Sequence, residues 1–288
     1  MTKEKPDIFR ALTSEEKELF LESYMKHLRH RNGEMDMRNR RFSIREKYFQ
    51  DVEANPVRRY GPPVVDQVVF ERNEKKHDIE PGLDEATLWA LATAKSNILE
   101  RDGVEYFFSN FDPAKHDPKD PFNYIAVEEF YHTRTLKDAL EVLGLEMHLL
   151  PPHPTARIMN RIMVNFPKPF TNTFILCAEL VGAAAFRLLR DKADELFDDQ
   201  PESLKRIDDL FQQILVDEVG HVHYVRSRLG PLRLAAAYKM LPTFSRYILS
   251  GMPEYEQLFG NQLLDTILEA DVDSAIADYP DKFVPTYR

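Results

Sequence analysis

The chain has 288 residues and carries 48 Asp and Glu against 38 Lys and Arg, a net charge of -10. That balance lacks the basic footprint of a nucleic-acid binder. An apolar share of 43% allows a sizeable core, and the single cysteine, Cys177, excludes an intrachain disulfide and a cysteine-rich metal cluster, which fits a reducing compartment.

The opening stretch, MTKEKPDIFRALTSEEKELF, has no apolar segment of the signal-peptide kind, so a cytoplasmic location is expected. Thr13 followed by Glu16 is a capping box that opens a helix toward His30, and Gly33 is its stop. Residues 26–47 are locally basic and read as a solvated face. Residues 54–82 carry Pro56, Pro62, Pro63, Pro81 and Gly82 and read as an extended connection, with a short strand over Val64 to Phe70.

From Leu83 a long helical period begins, ending in the breaker-rich FDPAKHDPKDP. Asp120 and Pro121 supply the N-cap and first helical residue of a second helix, about Phe122 to Leu149, which PPHP stops. A crossover follows, with a short helix near Ala156 to Val164. Thr171 caps a third helix running to about Asp198. Asp199 and Pro201 restart the chain as a fourth, ended by Gly230 and Pro231. Helices over roughly 232–249 and 254–277 finish it. The longest apolar run, TFILCAELVGAAAF, contains Glu179 and is short for a membrane span.

The pattern predicts an all-α protein. Its centre, residues 83–229, reads as two helical hairpins joined by a long crossover, a four-helix bundle with one long connection. An N-terminal segment, 1–82, and C-terminal helices, 230–288, would pack on it as one compact domain.

Glu-x-x-His is weak alone, yet it occurs three times where the composition predicts about one match. Glu74 and His77 sit in RNEKKHDIEPG, without apolar flanks, and read as the chance match. Glu129/His132 and Glu218/His221 lie inside long helices, in IAVEEFYHTRTL and ILVDEVGHVHYV. Three residues apart on a helix, the two side chains share a face, and Ile125, Leu136, Ile214 and Val225 lie on or beside it. The carboxylates therefore point inward, where a metal removes the cost of a buried charge. Each motif follows a helix bearing an isolated acid: Glu179 before the second, and Glu100, weighed against Glu105, before the first. Counted from the intervening turn, Glu179 and Glu218 sit at the same height. Glu128 and Asp217 precede the motif glutamates. A ligating His usually gives its other ring N–H to a carboxylate, and these two acids read as such partners. His223, His148 and His153 read as structural or surface residues, Tyr131, Tyr224 and Cys177 as packing.

One Glu from each of two helices plus Glu-x-x-His from each of two others resembles the ferritin-like di-iron carboxylate proteins. The resemblance implies a binuclear iron site, with manganese or a mixed pair as the usual substitute, held by Glu100, Glu129, His132, Glu179, Glu218 and His221. It also implies O2 activation or oxidation of Fe(II). The rubrerythrins' cysteine-rich domain is missing. Leu136 stands where the ribonucleotide reductase small subunit places its radical tyrosine, and Ile214 where the arylamine N-oxygenases add a histidine. Asp217 to His221 shares the Asp-Glu-x-x-His form of the acyl-carrier-protein desaturases. The expected activity is therefore that of a non-haem di-iron oxygenase or oxidase acting on O2 and a small or lipid-like organic substrate. An electron-donor protein or small reductant would serve it, and a homodimer is compatible. Thr93, Asn97, Gly182 and Ala183 are the candidate substrate-pocket residues. The competing readings are a ferroxidase and a non-catalytic helical protein with a relict site.

Overall fold

The computed structural model describes residues 6–109, 120–148, 167–280 and 282–285. It is mostly helical. In chain order the helices are α1 (Ser14–Asn32), α2 (Ser43–Ala54), α3 (Gln67–Glu74), α4 (Glu85–Ser109), α5 (Pro121–Val142), α6 (Lys168–Leu196), α7 (Pro201–Ser227), α8 (Pro231–Leu249), α9 (Pro253–Phe259) and α10 (Gln262–Glu269). Two-residue strands, β1 (Met35–Asp36) and β2 (Arg41–Phe42), pair antiparallel between α1 and α2.

The N-terminal capping box forms as the sequence predicts: Thr13 Oγ1 accepts from the Glu16 amide at 3.2 Å, and Glu16 returns the bond to the Thr13 amide at 2.7 Å. Elsewhere local chemistry moves the expected boundaries. Val64 to Phe70 contains no strand. Asp66 accepts from the amides of Val68 and Val69 at 2.8 and 3.0 Å and opens α3 instead, so an N-cap overrides the β-branched run. The helix from Pro121 stops at Val142 rather than near Leu149, because Gly144 takes a positive φ of 78° just beyond it. Thr171 is not a cap. The helix begins at Lys168, with a proline in its first turn, and Thr171 is buried within it. The final helical stretch is broken at Gly260, whose φ is 53°, into α9 and α10, with a 3-10 turn at Asp273–Ile276. The short helix expected over 156–164 lies outside the described residues.

Four long helices form the centre: α4 packs on α5, α6 on α7, α5 on α7 and α4 on α6. Trp89, fully buried, locks three of them. Its Nε1–H donates to the Leu189 carbonyl at 2.7 Å, and its ring meets Phe197 edge-on at 5.2 Å and Phe211 at 6.0 Å. Around this centre, α1 covers α5 and α7, α3 and α9 pack on α4, and α8 on α6. Tyr131 of α5 stacks between Phe42 and Phe49 and ties the α2 segment to the same core. Among the described residues, one helix, Phe170–Leu196, is long and apolar enough to cross a membrane, and 67% of its apolar window is buried inside the protein.

Candidate metal centre

The inward faces of α4, α5, α6 and α7 bring together two overlapping groups, Glu100, Glu129, His132 and Glu218, and Glu129, Glu179, Glu218 and His221. Within each group one ligand atom per residue lies within 4.8 Å of all the others, an arrangement that could hold a metal ion. Glu129 and Glu218 belong to both. These are the six side chains singled out in the sequence. The side chain of Glu105 lies outside the described ones.

The geometry follows from helix spacing. Glu129 and His132 sit three residues apart on α5, as do Glu218 and His221 on α7, and each pair faces inward. Nδ1 of His132 lies 3.3 Å from Glu100 and Glu218 and 3.5 Å from Glu129. Nδ1 of His221 lies 3.2 Å from Glu129 and 3.6 Å from Glu179. The two rings stack at 5.6 Å between centroids. Both Nε2 atoms point away from the cluster, that of His132 to Asp217 at 3.3 Å and that of His221 to Glu128 at 3.0 Å. Each histidine is thus paired with the acid of the other motif.

Asp217 is the more heavily held of the two. Arg31 Nε donates to its Oδ1 at 2.7 Å, and Arg45 Nη2 reaches both oxygens at 2.5 and 2.6 Å. Glu128 accepts from Asn32 Nδ2 at 2.6 Å, and Arg45 is 3.8 Å away. Arg31, Asn32 and Arg45 come from α1 and α2 and correct the reading of residues 26–47 as a solvated face. A signal for them existed. Phe20, Tyr24 and Leu28 form a buried stripe at helical spacing that continues into residues 31 and 32, and Arg45 lies between buried Phe42 and Phe49.

The acids in and around the cluster are shifted in opposite directions. Burial, helped by Glu129, raises the Glu100 carboxyl well above its ordinary range. Burial, with Glu218 and Glu129 adding to it, pushes Glu179 up to about 8. Burial opposes ionisation of Glu129 too, but the two imidazoles outweigh it and hold Glu129 well below the usual range. Asp217 likewise stays low against burial because Arg31 and Arg45 face it. His221 Nδ1, fully buried, lacks a hydrogen-bond partner among the described residues.

The remaining candidates fall as follows. Gly182, one turn after Glu179, exposes bare backbone to Glu218, and a Cβ there would sit 3.4 Å from its Oε2. Ala183 is buried beside it. Asn97 is buried on α4, its Nδ2 bound to the Thr133 carbonyl and its Oδ1 without a partner among the described residues. The Thr93 hydroxyl is committed to the Trp89 carbonyl at 2.9 Å. Glu74 is buried, but it pairs with His148 at 2.6 Å rather than with His77, which is exposed beside Asp78. His223 bonds Asp273 at 2.9 Å, away from the cluster. Tyr131 donates to Glu46 at 2.7 Å and Tyr224 to Asp120 at 3.1 Å. Cys177 is buried. His153 lies outside the described residues.

No family model matches the chain, and neither a curated protein nor a solved structure does.

Proposed function

We propose that α4 to α7 are a ferritin-like four-helix bundle holding two iron ions, and that the protein is an O2-dependent oxygenase or oxidase acting on a small or lipid-like organic substrate. The observation that carries this reading is the pair of four-residue groups sharing Glu129 and Glu218, each containing one histidine backed by an outer carboxylate. Carboxylate and imidazole donors suit iron or manganese, and a mixed pair would fit the same donors.

Charge supports the same reading. Glu100, Glu129, Glu179 and Glu218 together match two divalent cations, while the outer acids, Glu128 and Asp217, match Arg31 and Arg45. Buried charge is tolerated when it is compensated in this way. Two cations would also offset the burial and mutual repulsion that push the Glu100 and Glu179 carboxyls up, and would bond Nδ1 of His221, which lies near Glu129 and Glu179 without a hydrogen bond to either.

Glu129 and Glu218, common to both groups, would serve both ions, with Glu100 and His132 holding one and Glu179 and His221 the other. When bound, the iron pair supplies the redox chemistry that activates O2. The protein's own part is to orient both histidines, to exclude water, and to leave room at Gly182 and Ala183 for O2 or substrate. Helices α1 and α2 shield the side of the centre behind the histidines, and excluding water protects reactive species from side reactions. Electrons would come from a donor protein or small reductant. The bundle, its N-terminal segment and its C-terminal helices read as one domain, cytoplasmic and possible as a homodimer.

A ferroxidase uses the same donors, and that reading gains from Glu100, whose side chain is the most accessible of the six at 14%. The deciding experiment reduces the iron-loaded protein anaerobically, then adds O2 with and without fatty, aromatic and amino-acid-like candidates. An oxidised organic product formed in step with O2 uptake is expected. Rapid iron oxidation that ignores every organic compound and leaves mineral behind establishes the ferroxidase. Absence of bound metal leaves only a non-catalytic protein with a relict site.

A further inference from the structure

Both histidines are held from behind by one branched set of side chains that is rooted outside the four long helices, in α1 and α2. Its branch point is Arg45, 2% exposed in its side chain. On one side Nη2 of Arg45 binds both oxygens of Asp217, at 2.5 and 2.6 Å, and Asp217 Oδ2 meets His132 Nε2 at 3.3 Å. On the other side Nε of Arg45 donates to Asn32 Oδ1 at 2.8 Å. Asn32 Nδ2 donates to Glu128 Oε1 at 2.6 Å, and Glu128 Oε2 meets His221 Nε2 at 3.0 Å. Only one orientation of the Asn32 amide satisfies both neighbours, since the guanidinium only donates and the carboxylate only accepts. Arg31 belongs to the first branch alone: Nε donates to Asp217 Oδ1 at 2.7 Å and Nη2 to the Gln213 carbonyl at 2.8 Å.

We propose that Arg31, Asn32 and Arg45 are positioning residues of the centre, with Arg31 setting His132 through Asp217, Asn32 setting His221 through Glu128, and Arg45 setting both. The inference rests on the metal-centre reading. A carboxylate fixed in place fixes the ring that donates to it, and it keeps the proton on Nε2 so that Nδ1 offers its lone pair to the cluster. Two adjacent residues of α1 therefore act on different histidines, a division of labour that loss of packing alone would not produce.

The test uses Co(II) added anaerobically to the full-length protein, because a paramagnetic ion shifts the exchangeable Nε2–H resonances of its histidine ligands out of the protein envelope. The wild-type protein should show two such resonances. Arg31→Met should move one, Asn32→Leu the other, and Arg45→Lys both, with Co(II) bound about 10–100-fold more weakly at each affected position. Arg31→Met and Asn32→Leu moving the same resonance, or Arg45→Lys moving neither, overturns the assignment. If Arg45→Lys does not fold, the contrast between the residue 31 and residue 32 variants decides alone. Two wild-type resonances that ignore every variant sink this inference only. A wild-type protein that binds no Co(II) sinks the metal-centre reading and this inference with it.

Discussion

The carboxylate of Asp217 lies 3.3 Å from Nε2 of His132, a histidine on a different helix. The relation is reciprocal: Glu128, on the helix of His132, lies 3.0 Å from Nε2 of His221 on the helix of Asp217. Helices α5 and α7 each complete the other's motif. Neither helix can shift along its axis without breaking both bonds, so the register that aligns Glu129 with Glu218 is fixed twice.

Protein expressed with iron should retain close to two transition-metal ions per chain, mainly iron. His221→Ala and Glu179→Ala should lose metal and activity together, because each removes a donor from the cluster. His223→Ala and Glu74→Ala should keep both, since their partners are Asp273 and His148. Elemental analysis of the four variants checks this, and equal metal content in His221→Ala and His223→Ala would mean that His221 is not a ligand.

Asp217→Asn should damage more than the centre. It leaves Arg31 and Arg45 facing a neutral amide in a buried site. Breaking a buried pair by removing one partner costs about 3–5 kcal/mol, and loss of an outer carboxylate weakens metal binding about 10–100-fold. Chemical denaturation of the metal-free variant separates the two effects: stability should fall even with no metal present.

Gly220→Ala should destabilise where Gly182→Ala does not. A Cβ at Gly220 would meet Cε2 of the fully buried Tyr24 at 2.7 Å, whereas at Gly182 the nearest atom is 3.4 Å away. Overpacking of this kind costs about 1–3 kcal/mol. Thermal unfolding of the two variants, made side by side, gives the comparison.

Burial, with Arg31 adding to it, lowers the His27 pKa to about 4. The unfolded chain takes the same proton at about 6.5. His27 therefore contributes fully to stability above about pH 6.5, and that contribution is lost as pH falls through about 4, a change of up to about 3 kcal/mol. In urea titrations between pH 4 and 7.5, His27→Gln should show a flatter dependence than the wild-type protein. Parallel curves would place the acid sensitivity elsewhere.

The six acids and imidazoles of the cluster were legible in the sequence because a charge recurring on an apolar helix face is rare and has few physical explanations. The helices that carry them were legible for the same reason, being long and strongly periodic. Arg31 and Arg45 were not, although the stripe through Phe20, Tyr24 and Leu28 points at residue 31. Their partner, Asp217, is 186 and 172 residues away along the chain, and no local pattern announces a contact at that distance. The crossing of Asp217 to His132 was hidden likewise, since spacing shows which residues share a face but not which face meets it. At Val64 to Phe70 the failure was of another kind. A β-branched run suggested a strand, and one aspartate side chain, bonding two amides, decided for a helix.

The span between Arg31 and Asp217 also bears on how the chain folds. Helical proteins fold fast when their contacts are local. Here the α4–α5 and α6–α7 hairpins can form from neighbours, but the ion pairs that neutralise Asp217 close only when a segment from the first fifth of the chain meets one from the last third. During synthesis, α1 and α2 leave the ribosome long before α7 exists. Their arginines would wait in solvent, and an anionic half-formed centre would persist until the two ends of the chain meet. Closure of the charge network is expected among the last folding events, and refolding from denaturant should show secondary structure recovering ahead of metal-binding competence.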